Sequence, residues 1–137
     1  MPRTSVGTIS QSTLDNILNA PGVQIGGAKA SEPPFDDSVT EKAFQHAVTR
    51  LAESLGYSWH HQTISKQSKD GWLDLFLWRE ATSERPGRIL FRELKTNTGR
   101  LTAAQVRTID SLRAAGGDAG VWRPNMWATI VEELRAL

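Results

Sequence analysis

Two runs of apolar residues with charges set inside them constrain this chain more than anything else. Residues 72–78 read Trp-Leu-Asp-Leu-Phe-Leu-Trp, and residues 88–95 read Arg-Ile-Leu-Phe-Arg-Glu-Leu-Lys. Each has the length and composition of a strand, and Pro86-Gly87 between them is a turn signal, so they pair as a hairpin. Runs this continuous belong to a sheet covered on both faces. Burying an ionised side chain costs several kcal/mol (order of magnitude) unless the charge is paired or bound to a metal. Asp74, in the middle of the first run, and Glu93, near the end of the second, therefore need a reason to be there.

Around this hairpin the hydrophobic spacing sets the other elements. Phe44, Ala47, Val48, Leu51 and Leu55 form one helical stripe. Ser38-Val39-Thr40-Glu41 fits a capping box ahead of it and Gly56 a stop behind it, which predicts a helix over 39–55. Residues 57–62 are aromatic-rich and strand-like. Thr102 to Gln105 is a second capping-box pattern, with Leu101 placed to staple onto Val106. It opens a helix over 103–115 that Gly116-Gly117 ends. A short strand over 119–122 follows, and Asn125 is placed to cap a last helix with a face of Trp127, Ile130, Val131 and Leu134. The order helix, strand, strand, strand, helix, strand, helix predicts an α/β domain with a small mixed sheet between helices.

Residues 1–37 read as an arm or linker. They hold Gly22, Gly26 and Gly27, a Pro33-Pro34 pair and few large apolar residues, with a short helix near Thr13–Asn19 suggested by Leu14, Ile17 and Leu18. The domain is expected over residues 38–137. Charge is uneven too. Residues 85–123 hold eight basic and three acidic residues, a local excess able to attract a phosphate backbone, although a solvated arginine-rich surface explains it equally well. The chain has no cysteine, which excludes disulfides, thiolate zinc sites and cysteine nucleophiles. No apolar stretch reaches membrane-spanning length and no signal peptide is apparent, so the expectation is a cytoplasmic protein with no membrane contact.

The polar set suggests a chemistry. Glu93 and Lys95 lie two apart on one strand and share a face. A hairpin brings Asp74 alongside Glu93, and two adjacent carboxylates repel until a divalent cation relieves them. Oxygen donors select a hard ion: Mg²⁺ takes one or two carboxylates, waters and substrate phosphate oxygens. Asp74, Glu93 and the backbone carbonyl of Leu94 are the candidate ligands. Lys95 is placed to orient or deprotonate a bound water, or to stabilise charge on the scissile phosphate.

This Asp…Glu-x-Lys arrangement resembles the PD-(D/E)XK nuclease superfamily. More narrowly, residues 38–137 are similar to a stand-alone VRR-NUC domain. That family of phage and bacterial nucleases also supplies the catalytic part of the Fanconi-associated nuclease. Five pieces fall in the family's order: Glu41 opening the first helix, Gly71 to Leu75, Phe91 to Thr96, Gly99 to Gln105, and Ala115-Gly116 followed by Val121 to Pro124. Leu73 departs from the pattern, standing where the family usually has proline.

The resemblance implies a restriction-endonuclease-like core. It implies Asp74 and Glu93 as Mg²⁺ or Mn²⁺ ligands and Lys95 as the catalytic lysine, with Glu41 and Gln105 beside the metal. It also implies cleavage of branched, flap or four-way-junction DNA by a Holliday-junction-type homodimer. A nuclease fold that binds DNA or protein without cutting is the alternative. Both Glu41 and Gln105 are also explained by their capping boxes. His61, Lys66, Lys69 and Arg100 are candidate DNA contacts, each explained at least as well as a strand-edge or surface polar group. The five tryptophans are expected mainly in the core.

Overall fold

The computed structural model describes residues 32–63 and 70–137. The suggested helix near Thr13–Asn19, and Lys66 and Lys69, lie outside the described residues. The elements are α1 (Glu41–Ser54), β1 (Ser58–His61), β2 (Leu75–Arg79), β3 (Arg88–Leu94), α2 (Ala103–Ala114), β4 (Asp118–Trp122), a 3-10 turn (Pro124–Met126) and α3 (Trp127–Arg135). The four strands form one mixed sheet in the order β1-β2-β3-β4. The first three are antiparallel neighbours, and β4 runs parallel to β3 through the α2 crossover. The expected α/β class holds, and the hairpin of the two apolar runs is the centre of the sheet.

Alternation along the strands sorts their side chains. Leu75 and Leu77 of β2 and Leu90 and Leu94 of β3 point to one face. There they pack with Phe44, Val48 and Leu51 of α1 and with the full expected stripe of α3, all completely or almost completely buried. The opposite face is thinly covered. Only Ile109 of α2 is buried, and it joins a small cluster with Leu73 and Ala119. The sheet is therefore not covered evenly on both faces as the apolar runs suggest: Ile89 is 63% exposed and Trp78 is also exposed on the second face.

The local ends differ from the sequence reading in instructive ways. Thr40, not Ser38, caps α1, its side chain accepting from the Ala43 N–H at 3.1 Å. Ser38 bonds instead to the side chain of Asp36. Asp74 lies in a bend just before β2 rather than in mid-strand, because Leu73 turns inward onto α2. The Thr102–Gln105 capping box forms as expected. Leu101 packs into the Leu73 cluster, whereas Val106 is exposed. Asn125 does not cap α3: Pro124 starts a 3-10 turn that runs straight into the helix, and the Asn125 N–H donates to Asn97 Oδ1. Phe35 packs edge-on against Phe44 and Trp127, so the chain already contacts the core ahead of Ser38. Among the described residues no helix is long and apolar enough to cross a membrane.

Candidate active site

The β2–β3 ladder ends at the pair Leu75 and Arg92. One step further, where the bend takes β2 away, side chains replace the main-chain rungs. The Asp74 N–H donates to Glu93 Oε2 at 3.1 Å, and the Leu94 N–H donates to Asp74 Oδ2 at 2.9 Å. The two carboxylates thus clasp each other's strands, 19 residues apart in sequence. Register alone places them opposite one another, and the pleat turns Lys95 to the side of Glu93. Lys95 Nζ lies 3.4 Å from Glu93 Oε1. Gln105 reaches the same oxygen from the first turn of α2, donating through Nε2 at 2.7 Å.

Gln105 does two things at once. Its Oε1 accepts from the Thr102 N–H at 2.9 Å, closing the capping box, while its Nε2 grips Glu93. The capping reading and the site reading of this residue are both satisfied by one amide, because an amide has an acceptor end and a donor end. Glu41 follows a different course. With Thr40 as the cap, Glu41 is the first residue of α1 and has no capping task. It lines a cleft of about 530 Å³ together with His46, His61, Gln62, Asp74 and Leu94. Arg100 is exposed on the loop that follows Lys95. That loop is held in place by Arg123, which donates to the carbonyls of Thr96 and Gly99, each at 2.6 Å.

Glu93 is 2% exposed, and its electrostatics follow from that burial. Loss of water, and then the adjacent Asp74 carboxylate, push its carboxyl from the usual 4.5 up to about 7; Lys95 pulls the other way. Glu41 is also raised, first by partial desolvation and then by Asp74, against Lys95 and His61. One lysine thus faces three carboxyl groups. The donors are hard oxygens with excess negative charge, which is the set that suits Mg²⁺ or Mn²⁺. Asp74 and Glu93 are the residues fit to hold such an ion, with Glu41 across the cleft and Leu94 on its wall. Among the described residues no group of three or more acidic, imidazole or thiol side chains is arranged to hold a metal ion, so the pair Asp74 and Glu93 is the most that the geometry offers.

His46 escaped the sequence reading. It sits on α1 next to the apolar stripe, 7% exposed, with Nδ1 buried and unpartnered, and it lines the same cleft. Burial, and then Lys42 and His61, lower its pKa and favour the neutral ring. The signal in the sequence was slight: a histidine on α1 between Phe44 and Ala47-Val48, residues that pack inward. Comparison of the chain with protein-family models, curated proteins and solved structures finds no match.

Proposed function

We propose that this chain is a metal-dependent DNA endonuclease with a restriction-endonuclease-like core, hydrolysing phosphodiester bonds in branched, flap or four-way-junction DNA. The observation that supports it is the convergence of Lys95, Gln105 and the Asp74 N–H on the one nearly buried Glu93 carboxylate, with the Asp74 carboxylate beside it. A purely structural carboxylate is not usually buried against a second carboxylate, because the repulsion is unrelieved. The sequence likeness to VRR-NUC domains supplies the substrate class and the homodimeric state.

In this reading Asp74 and Glu93 hold Mg²⁺ or Mn²⁺, and Glu41 completes the site directly or through water. The ion, when bound, supplies Lewis acidity and a water of lowered pKa. The protein's own share is positional. Gln105 fixes the orientation of Glu93, and the Leu94 N–H fixes that of Asp74. Lys95 presents a compact positive charge beside Glu93, able to orient the attacking water or to offset charge growing on the phosphate. His61, which lines the cleft, and the exposed Arg100 are the DNA contacts this reading proposes.

The test is incubation of the purified chain with a labelled four-way junction and a flap substrate, with Mg²⁺, with Mn²⁺ and with chelator. Metal-dependent cutting that Asp74→Ala abolishes supports the proposal. Wild type and Asp74→Ala behaving alike would overturn it.

A further inference from the structure

The second face of the sheet carries an aromatic row that the catalytic reading does not use. Trp72 is 48% exposed. Its ring meets Phe76 at 5.9 Å and 65°, and Phe76 meets Phe91 at 5.2 Å and 76°. Trp72 is thus braced through its neighbours while about half of its surface stays open. Gly71, with φ +87°, brings the segment against α2 so closely that a Cβ there would lie 2.6 Å from the Ala104 carbonyl oxygen. Leu73, fully buried, anchors the other side of Trp72. A tryptophan held between two such anchors has little freedom to lose on binding. It forms one wall of a cleft of about 600 Å³ whose opposite wall, from α2, presents Arg107, Thr108 and Ser111, with Asp70 at the rim.

We propose that Trp72 and Arg107 form a clamp for an unpaired nucleotide, the base stacking on the indole and the phosphate meeting the guanidinium, on the single strand leading to the bond cut at Asp74. This rests on the nuclease reading and narrows its substrate to DNA with unpaired bases beside the cut. Trp72 and Asp74 are two residues apart, which keeps their backbones within about 7 Å of each other. That is a spacing of nucleotide size, so a strand lying on both would place successive units at the two positions. Stacking on an aromatic ring accepts any base, and an arginine opposite it supplies the complementary charge. The cleft is concave, and its lining sets the Arg107 cation and two hydroxyls among the Asp70 carboxylate, Ala104 and Leu112. A second copy of the chain, offering a broad apolar face, does not match that shape or that charge, since the centres of such interfaces are depleted in charged residues.

The experiment is a fluorescence-anisotropy titration of labelled single-stranded oligo-dT, about 12 nucleotides long, with the full chain in EDTA. The sedimentation of each variant is measured alongside. Trp72→Ala is expected to weaken binding about tenfold, and Trp72→Phe is expected to stay within about threefold of wild type. Arg107→Ala is expected to weaken binding and to lower the slope of log affinity against log salt by about 1. Trp78→Ala, on the same face outside the cleft, is expected to bind as wild type does. Two results would overturn the clamp. One is Trp72→Ala binding oligo-dT as tightly as wild type. The other is Trp72→Ala dissociating a homodimer while oligo-dT affinity is unchanged, which makes the face a subunit contact. The catalytic reading fails separately: if wild type cuts no junction yet Trp72→Ala loses oligo-dT binding, the clamp stands and the nuclease does not.

Discussion

Arg92 and Glu93 are consecutive residues of β3, pointing to opposite faces, and both are almost wholly buried, at 4% and 2% exposure. Their surroundings could hardly differ more. Arg92 donates to Asp118 Oδ1 at 2.8 Å and to the Asp118 and Phe91 carbonyls at 2.7 and 3.0 Å. Its guanidinium also lies 4.8 Å from the centre of the Trp122 ring, with Glu133 at 3.8 Å. Every side of that cation is met by opposite charge, dipole or π-face. Glu93 faces another carboxylate, and one lysine stands against both. A buried charge with all its partners supports the fold. A buried charge held against its own kind stores electrostatic cost that a cation from solution can relieve, which is why the proposed function centres on it.

The largest expected effect separates these two residues by what they disable. Asp74→Ala and Glu93→Ala should each lower junction cleavage by about a thousandfold or more, with the fold intact by circular dichroism. Arg92→Ala should do the reverse. It removes the guanidinium that bonds Asp118 and packs on Trp122, while the half-exposed Asp118 keeps Arg88, and should cost about 1–3 kcal/mol of stability, read as a fall in the urea midpoint. Cleavage by the fraction that remains folded should stay near wild type. If Arg92→Ala instead unfolds at the wild-type midpoint, the contrast between the two charges is broken.

The next effect is one of pH, and it sharpens the contrast because burial and Asp74 push the Glu93 carboxyl up to about 7. Glu93 holds its proton up to about pH 7 in the fold and to about 4.5 when unfolded. A raised folded pKa contributes stability that is fully present below the unfolded value and is lost as pH rises through the folded one. The metal-free protein should therefore lose stability between about pH 4.5 and 7, by on the order of 3 kcal/mol at most. Adding Mn²⁺ should raise the melting temperature more at pH 8 than at pH 5, since binding needs the carboxylates ionised. Glu93→Gln should flatten the metal-free profile and erase the Mn²⁺ response. A pH-independent melting temperature in wild type would show that Asp74 and Glu93 do not share the strain described.

Much of this was legible in the residues, and the parts that were not have a common cause. The two apolar runs announced the hairpin, and strand parity put Glu93 and Lys95 on one side, because both depend only on period and turn chemistry. The stripes of α1 and α3 were readable for the same reason. What failed were choices between near-equivalent local partners. Ser38 and Thr40 both precede α1, and only the bond from Ser38 to Asp36 decides which one is left to cap it. Asp74 was placed in mid-strand because Trp72-Leu73 reads as strand, yet Leu73 turns onto α2, a contact that sequence alone does not announce. The tryptophans illustrate the same limit. Trp59, Trp122 and Trp127 are core, while Trp72 and Trp78 are exposed, because α2 covers only part of its face of the sheet. His46 was hidden by its neighbours, which read as packing residues whatever stands between them.

The smallest effect tests whether Gln105 belongs to the strained side of the molecule or merely to a helix end. Thr102 and Gln105 satisfy each other's backbone through the capping box, so Thr102→Ala and Gln105→Ala should each cost about 0.5–2 kcal/mol in stability. Only Gln105 also holds Glu93 Oε1, at 2.7 Å. Gln105→Ala should therefore lower cleavage about tenfold and shift the Mn²⁺ concentration needed for half-maximal activity upward, while Thr102→Ala should change neither by more than about twofold. Gln105→Glu keeps a capping acceptor at the helix start but sets a third carboxylate against Glu93. Its stability should thus depend on Mn²⁺ more steeply than that of wild type, whereas a capping role alone would leave the metal response untouched. The same amide, read through its oxygen, is part of the fold; read through its nitrogen, it keeps a carboxylate pointed where a cation can reach it.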